Sequence, residues 1–197
     1  MNRRHFLFAG TSLTLLAACA DDTSAPTAAL PPLRHLVTLP TDSEPQRGDL
    51  SKFPNCTYCG MDRGHSHQSR HLIHFEDNTV DPTCSIRCTA ISLSVNLDRA
   101  PKAIYVADFG AEASPKPLIR AEAATYLVGS SLPATMSTHS KLAFADLEEA
   151  MVARSRHNGR LAAFDGALAA AYVDMAGDSR AVRQQRAALR AKPADSK

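Results

Sequence analysis

The chain has 197 residues, 44% of them hydrophobic, yet it lacks tryptophan and only 6% are aromatic, so its core must rest on Leu, Ile, Val and Ala. The formal charge is +2, and that excess is Arg3 and Arg4; from residue 19 onward 20 basic side chains face 20 acidic ones. A balance of zero excludes nucleic-acid binding driven by bulk charge.

Residues 1–18 read as a signal peptide. Arg3-Arg4-His5-Phe6-Leu7 resembles a twin-arginine export signal, and the apolar run Leu7 to Ala18 is too short to span a bilayer. The run ends in Leu16-Ala17-Ala18-Cys19, which resembles a bacterial lipobox and assigns lipidation to Cys19. Residues 19–47 then read as a tether. Pro26, Pro31, Pro32, Pro40 and Pro45 stand among Ser, Thr and Ala, a composition that favours a semi-extended spacer. About 150 residues follow from Gly48, the usual size of one domain. Residues 48–175 are expected to hold the fold, and 176–197 a basic C-terminal helix or tail. In that tail Arg180, Arg183, Arg186 and Arg190 recur at near-helical spacing, a stripe suited to water or to anionic lipid.

Phe53-Pro54-Asn55 leads into Cys56-Thr-Tyr-Cys59-Gly60-Met61. Pro and Asn favour a turn and Gly60 can take positive φ, which predicts a knuckle with both sulfurs on one side. His65 and His67 fall in a polar loop, as auxiliary metal ligands or as solvated side chains. His71-Leu-Ile-His-Phe75 alternates and meets Asp77-Asn78, a hairpin signal, so His71 and His74 lie on opposite faces of a strand. Asp81-Pro-Thr-Cys84-Ser-Ile-Arg-Cys88 is expected to open a helix, with Pro82 near its start and capping atoms from Cys84-Ser85 ahead of Ile86 to Val95. Cysteines at i and i+4 share one helix face.

Strands are expected at 102–108 and 123–128, then a loop carrying Met136 and His139, and a strand from Lys141 to Ala145. Asp146 should cap a helix that runs to about Arg156, with Leu147, Ala150 and Met151 on one face. Asn158-Gly159 stops it, Arg160 to Phe164 forms a strand, and a last helix begins near Asp165. The fold class is therefore α+β: two small related ββα-type units packed together, with a treble-clef-like cysteine knuckle in the first.

Three chemistries suit the four cysteines. As thiolates they enclose one tetrahedral Zn(II) between a knuckle pair and a helix-start pair. In an oxidising compartment they can pair as disulfides, in three possible ways. A lone CxxC also serves thiol–disulfide exchange, but no βαβ context precedes this one and a polar loop replaces the helix that should follow. Met136 and His139, a thioether and an imidazole in one loop, suit Cu(I), or read as a loop whose Met packs on the core. No Ser/His/Asp set, phosphate loop or carboxylate pair stands out, so an enzyme is not expected.

Taken in order, these segments resemble the NosL family of lipoproteins, accessory proteins for copper delivery to nitrous oxide reductase. The resemblance is carried by Cys19, Cys56-x-x-Cys59-Gly60-Met61, the strand His71 to Phe75, Ala124-Thr-Tyr126-Leu-Val128-Gly129-Ser130, Met136 ahead of Leu142-Ala-Phe144, and Asn158-Gly159. It covers residues 50 to 170. It implies a periplasmic, lipid-anchored Cu(I) metallochaperone whose partner is nitrous oxide reductase, another periplasmic copper enzyme, or their assembly factors. It also implies copper ligands at Met136 and His139, while Cys56, Cys59 and Met61 match the signature motif. Cys84, Cys88 and the rich histidine cluster depart from the family pattern and leave Zn(II) as an alternative metal.

Overall fold

The computed structural model describes residues 37–191. The expected signal peptide, Cys19, the first part of the expected tether and residues 192–197 lie outside the described residues.

A short helix α1 (Asp49–Lys52) precedes the first sheet unit. That unit is a hairpin of β1 (His71–Phe75) and β2 (Val80–Thr83), a helix α2 (Ile86–Val95), and a strand β3 (Pro101–Ala107) that returns to the other side of β1. The second unit repeats the plan with β5 (Thr125–Val128), β6 (Lys141–Phe144), α3 (Leu147–His157) and β7 (Arg160–Ala162). In each, the first strand is central, and both sheets are antiparallel: β2-β1-β3-β4, with β4 at Leu118–Arg120, and β6-β5-β7. The expected pair of related units is therefore present as two ββαβ repeats. A long α4 (Phe164–Ala191) follows the second.

Local chemistry explains the elements. Asn78 takes φ 58 in the β1–β2 turn, and the Asp77 carboxylate accepts from the Thr79 N–H at 2.9 Å. Asp146 caps α3, its carboxylate accepting from the N–H groups of Glu148 and Glu149 at 2.7 and 3.0 Å. Asn158 and Gly159 both take positive φ and end α3; a Cβ on Gly159 would meet the Val128 carbonyl oxygen at 2.8 Å.

The main core gathers Ile86 and Ala90 of α2, Val106 of β3, Tyr126 and Val128 of β5, and Ala167 and Ala171 of α4. Further ties join the repeats: Phe109 N–H donates to Ala143 O at 2.7 Å, and Tyr172 of α4 donates its hydroxyl to Ala90 O at 3.0 Å.

Several expectations need correction. Residues 37–42 do not run free as a spacer. Leu39 is buried with Ile73 and Phe75, and the segment pairs with β2 through Val80 N–H to Pro40 O at 2.8 Å and Asp42 N–H to Asn78 O at 3.0 Å. A single well-placed leucine and backbone pairing overrule the proline-rich composition. Pro82 belongs to β2 rather than to the start of α2, on an edge strand where its missing N–H is tolerated. Ser85 occupies the N-cap of α2 without a side-chain cap bond. On α3 the packed residues are Ala150 and Ala153, against Leu127, Leu142 and Phe144, whereas Leu147 and Met151 are 54% and 52% exposed. Small side chains let the helix sit close to the sheet. The strand expected from residue 123 starts at Thr125 because Ala121–Ala123 form a 3-10 turn. Phe164 opens α4 instead of ending β7.

Candidate metal centre

Cys56 and Cys59 sit in a tight turn closed by a bridge between Asn55 and Asp62. The Cys56 N–H donates to Met61 O at 2.8 Å and the Gly60 N–H to Cys56 O at 3.0 Å. Gly60 takes φ 72, a conformation that costs a side-chain-bearing residue about 1–2 kcal/mol. Backbone hydrogen bonds from Tyr58 and Cys59 reach the Cys56 sulfur, and one from Met61 reaches that of Cys59. Thr57 fastens the turn to the sheet, since its N–H and hydroxyl donate to Pro82 O at 3.0 and 3.2 Å. The second pair comes from the end of the hairpin. Cys84 follows β2 directly and Cys88 lies in the first turn of α2, both fully buried.

The four Sγ atoms lie within 4.8 Å of one another, the one such gathering of three or more His, Cys, Asp or Glu ligands among the described residues. Cys59 and Cys84 are 3.4 Å apart, and Cys84 and Cys88 3.8 Å. A tetrahedral metal with metal–sulfur bonds of about 2.3 Å separates its sulfurs by about 3.8 Å; a disulfide would bring them to about 2.05 Å. The spacing is that of a ligand set, and all four are free thiols. The expected treble-clef-like arrangement of knuckle and helix start is therefore present.

Proton affinities divide the four. Hydrogen bonds from Cys84 and Cys88 hold the Cys56 thiol far below its usual range, against its burial. A hydrogen bond from Cys88 brings Cys59 down to about 7. Cys84 is pushed up by donating to Cys56, and Cys88 by donating to Cys56, Cys59 and Cys84. The shared hydrogen bonds thus favour the thiolate on the knuckle side of the centre and the thiol on the helix side.

The knuckle stands on a buried ionic plinth. Arg63 is 0% exposed. Its guanidinium meets Asp49 Oδ2 at 2.9 Å and donates to Phe53 O at 2.7 Å, His71 O at 3.1 Å and Thr83 O at 3.2 Å. Asp49 also takes both Arg70 contacts, at 2.9 and 3.1 Å. Burial works against the charge on Arg63, and Asp49 works for it. Beside the knuckle, Tyr58 and Ser92 each donate to Asp81 Oδ2 at 2.5 Å. Burial raises the Tyr58 phenol and the Asp81 carboxyl above their usual ranges.

Of the other expected ligands, Met61 and Met136 pack against Cys56, Cys84 and Cys88. Met136 takes φ 56. Its loop is fixed by the Ser69 hydroxyl donating to Thr135 at 2.8 Å and by Thr138 donating twice to Asp178, at 2.9 and 2.8 Å. His139 turns instead to α4, where its Nδ1 lies 3.1 Å from Asp174 Oδ1 and Lys141 Nζ lies 2.6 Å from Oδ2. His139 also lines an open groove of about 540 Å³ with Val128, Gly159, Arg160 and Asp174. His65 is exposed, and His67 Nδ1 accepts from the Lys116 N–H at 3.2 Å. His71 and His74 are buried in β1, bonded to Tyr126 and Asn78 respectively. The larger groove, about 640 Å³ against α3 with Phe109, Phe144 and Val152, holds none of these ligands.

Sequence reasoning missed Arg63, Asp49 and Arg70, since isolated charges in polar segments read as solvated. The Tyr58–Asp81 pair left no periodic signal either.

The fold and the centre together define a class: a small α+β protein with a cysteine cluster able to hold a metal ion. The family profile described as NosL matches residues 48–172, well over half of the chain, and the chain belongs to the NosL family. Among solved structures, the crystal structure of the copper chaperone NosL from Shewanella denitrificans is 23% identical, with a TM-score of 0.47, covering 68% of this chain and 96% of that one. The solution NMR structure of the apo-NosL protein from Achromobacter cycloclastes is 24% identical, with a TM-score of 0.34, covering 48% and 82%. No curated protein matches the chain.

Proposed function

We propose that this protein is a Cu(I) metallochaperone, tethered by lipid on Cys19 to a bacterial membrane on its periplasmic side. It passes copper by ligand exchange to a periplasmic copper enzyme, nitrous oxide reductase before any other. The observation that carries the reading is the composition of the centre. Four thiols lie within 4.8 Å, one of them exposed, with two thioethers packed against them. Thiolates and thioethers together select Cu(I), which is content with two or three soft ligands. Membership of the NosL family supports the same cargo. His139 enters as an outer ligand. With Nδ1 turned to the Asp174 carboxylate, Nε2 is the nitrogen on offer to a metal, the usual orienting device for ligand histidines.

The second reading is a structural Zn(II) centre, favoured by the knuckle and helix-start pairs and by sulfur spacings close to tetrahedral. Anaerobic metal analysis with Cu(I) titration against bathocuproine disulfonate separates the two. The chaperone reading expects one or more Cu(I) per chain, weaker binding in a Met136→Ala/His139→Ala double variant, and an unchanged far-UV spectrum after metal removal. Tightly held zinc whose removal melts the domain would sink it in favour of the structural centre.

A further inference from the structure

We propose that Cys59, Met61 and Met136 form the exchange side of the centre, through which Cu(I) enters and leaves, while Cys56, Cys84 and Cys88 hold it. This rests on the Cu(I) reading above and assigns separate tasks to ligands that look equivalent in the sequence.

The division follows from burial. Cys56, Cys84 and Cys88 are 3%, 0% and 0% exposed, whereas Cys59 is exposed. Three thiolates complete a trigonal Cu(I) site, so the fourth is not needed to hold the ion. The three buried sulfurs are also held by packed elements, one by the base of the knuckle, one by the end of β2 and one by the first turn of α2. Cys59 sits at the solvent end of the same turn, still 3.4 Å from Cys84, close enough to take over the ion without a backbone movement.

The thioethers extend this path. Met61 and Met136 are half-buried and touch the thiol cluster. A thioether carries no proton and no charge, so it can accept or release Cu(I) without waiting for a titration. Met136 comes from the second repeat and is set over the first by a left-handed backbone that methionine does not favour. Its loop is pinned on one side to Ser69 and on the other to Asp178. The cluster that an acceptor reaches through Cys59 thus carries methionine side chains from two parts of the chain. In the exchange step the Cys59 thiolate bonds to Cu(I) as the Cu–S bonds to the buried sulfurs break one after another, and the acceptor's donor atoms then bind as the Cu–Sγ bond of Cys59 breaks. The thiolate keeps its electron pair, copper stays monovalent, and no oxidant is involved.

The test uses the full chain in detergent, anaerobically, with Cu(I) as probe. Affinity is read by competition with bathocuproine disulfonate and transfer by stopped-flow mixing with excess bicinchoninate. Cys59→Ser is expected to hold Cu(I) within about tenfold of the wild-type affinity but to release it about tenfold more slowly, while Cys88→Ser loses about a hundredfold or more in affinity. A Met61→Leu/Met136→Leu pair, which keeps every thiol, is expected to slow transfer in the same direction. The assignment is overturned if Cys59→Ser loses affinity as deeply as Cys88→Ser, or if the methionine pair transfers at the wild-type rate; that second arm stands even if Cys88→Ser does not fold. Either result leaves the Cu(I) reading intact. A wild-type protein that takes up no Cu(I) overturns that reading and this assignment with it.

Discussion

Acid should loosen this protein through one residue, His71. The side chain is 0% exposed, with Nδ1 3.0 Å from Ser69 O and Nε2 3.3 Å from the Tyr126 hydroxyl. Burial pulls the imidazole down to about 3 from the ordinary 6.5, the Ser69 contact working the other way. The unfolded chain therefore binds a proton below pH 6.5 that the fold refuses until about pH 3. Stability from this residue is complete above 6.5 and declines as pH falls through that window. At pH 5, about 1.5 units into it, the loss is about 2 kcal/mol at 1.36 kcal/mol per unit. Across the whole window it approaches about 5 kcal/mol, a large share of the 5–15 kcal/mol that typically separates folded from unfolded chains. His71→Gln keeps a donor and an acceptor but does not titrate. Urea unfolding followed by far-UV circular dichroism, on reduced metal-free protein at pH 7 and pH 5, should show the wild type losing about 2 kcal/mol more than the variant. Parallel pH dependence, or an NMR titration placing the His71 midpoint near 6.5, would refute the reasoning. The outcome bears on the metal centre as well, since the His71 carbonyl accepts from Arg63 and its ring meets Tyr126 of the second repeat.

Two further outcomes are expected. Arg63→Met leaves Asp49 with Arg70 alone and strips partners from the carbonyls of Phe53, His71 and Thr83; breaking such a buried pair should cost about 3–5 kcal/mol in denaturant unfolding, with faster alkylation of Cys56. Metal loading should release protons at neutral pH, since the Cys84 and Cys88 thiols are held above their usual range and must lose their protons to bind; pH-stat titration or calorimetry in buffers of different ionisation heat measures this, and loading at pH 7 without proton release would count against both as thiolate ligands.

Much of the fold was legible because its signals are local. The helix expected over Ile86 to Val95, the Asp146 cap and the Asn158-Gly159 stop each depend on neighbouring residues, and the structure places them there. The thiol cluster was legible for a related reason: knuckle and helix start are local motifs, and one hairpin brings them together. What could not be read depends on distant partners. Arg63 is buried because an Asp at position 49 and carbonyls from three segments converge on it. Met136 and His139, three residues apart, look like a ligand pair, yet the loop sends one toward the thiols and the other to Asp174. Which residues of α3 turn inward was not legible, because the sheet beneath it takes the small Ala150 and Ala153 and leaves Leu147 and Met151 exposed.

The strap at residues 39–42 and the cysteine knuckle share one further consequence. Both pair with the outer side of β2, the strap at Asn78 to Val80 and the knuckle through Thr57 to Pro82. A bare sheet edge is a template on which another chain can stack, and Pro82 would blunt this one only at a single position. Here that margin is sealed along its length by the protein's own backbone. Strand-to-strand stacking is closed off at that edge of the sheet, the one beside the thiols, so the cluster can stay partly open to solvent without a bare strand next to it.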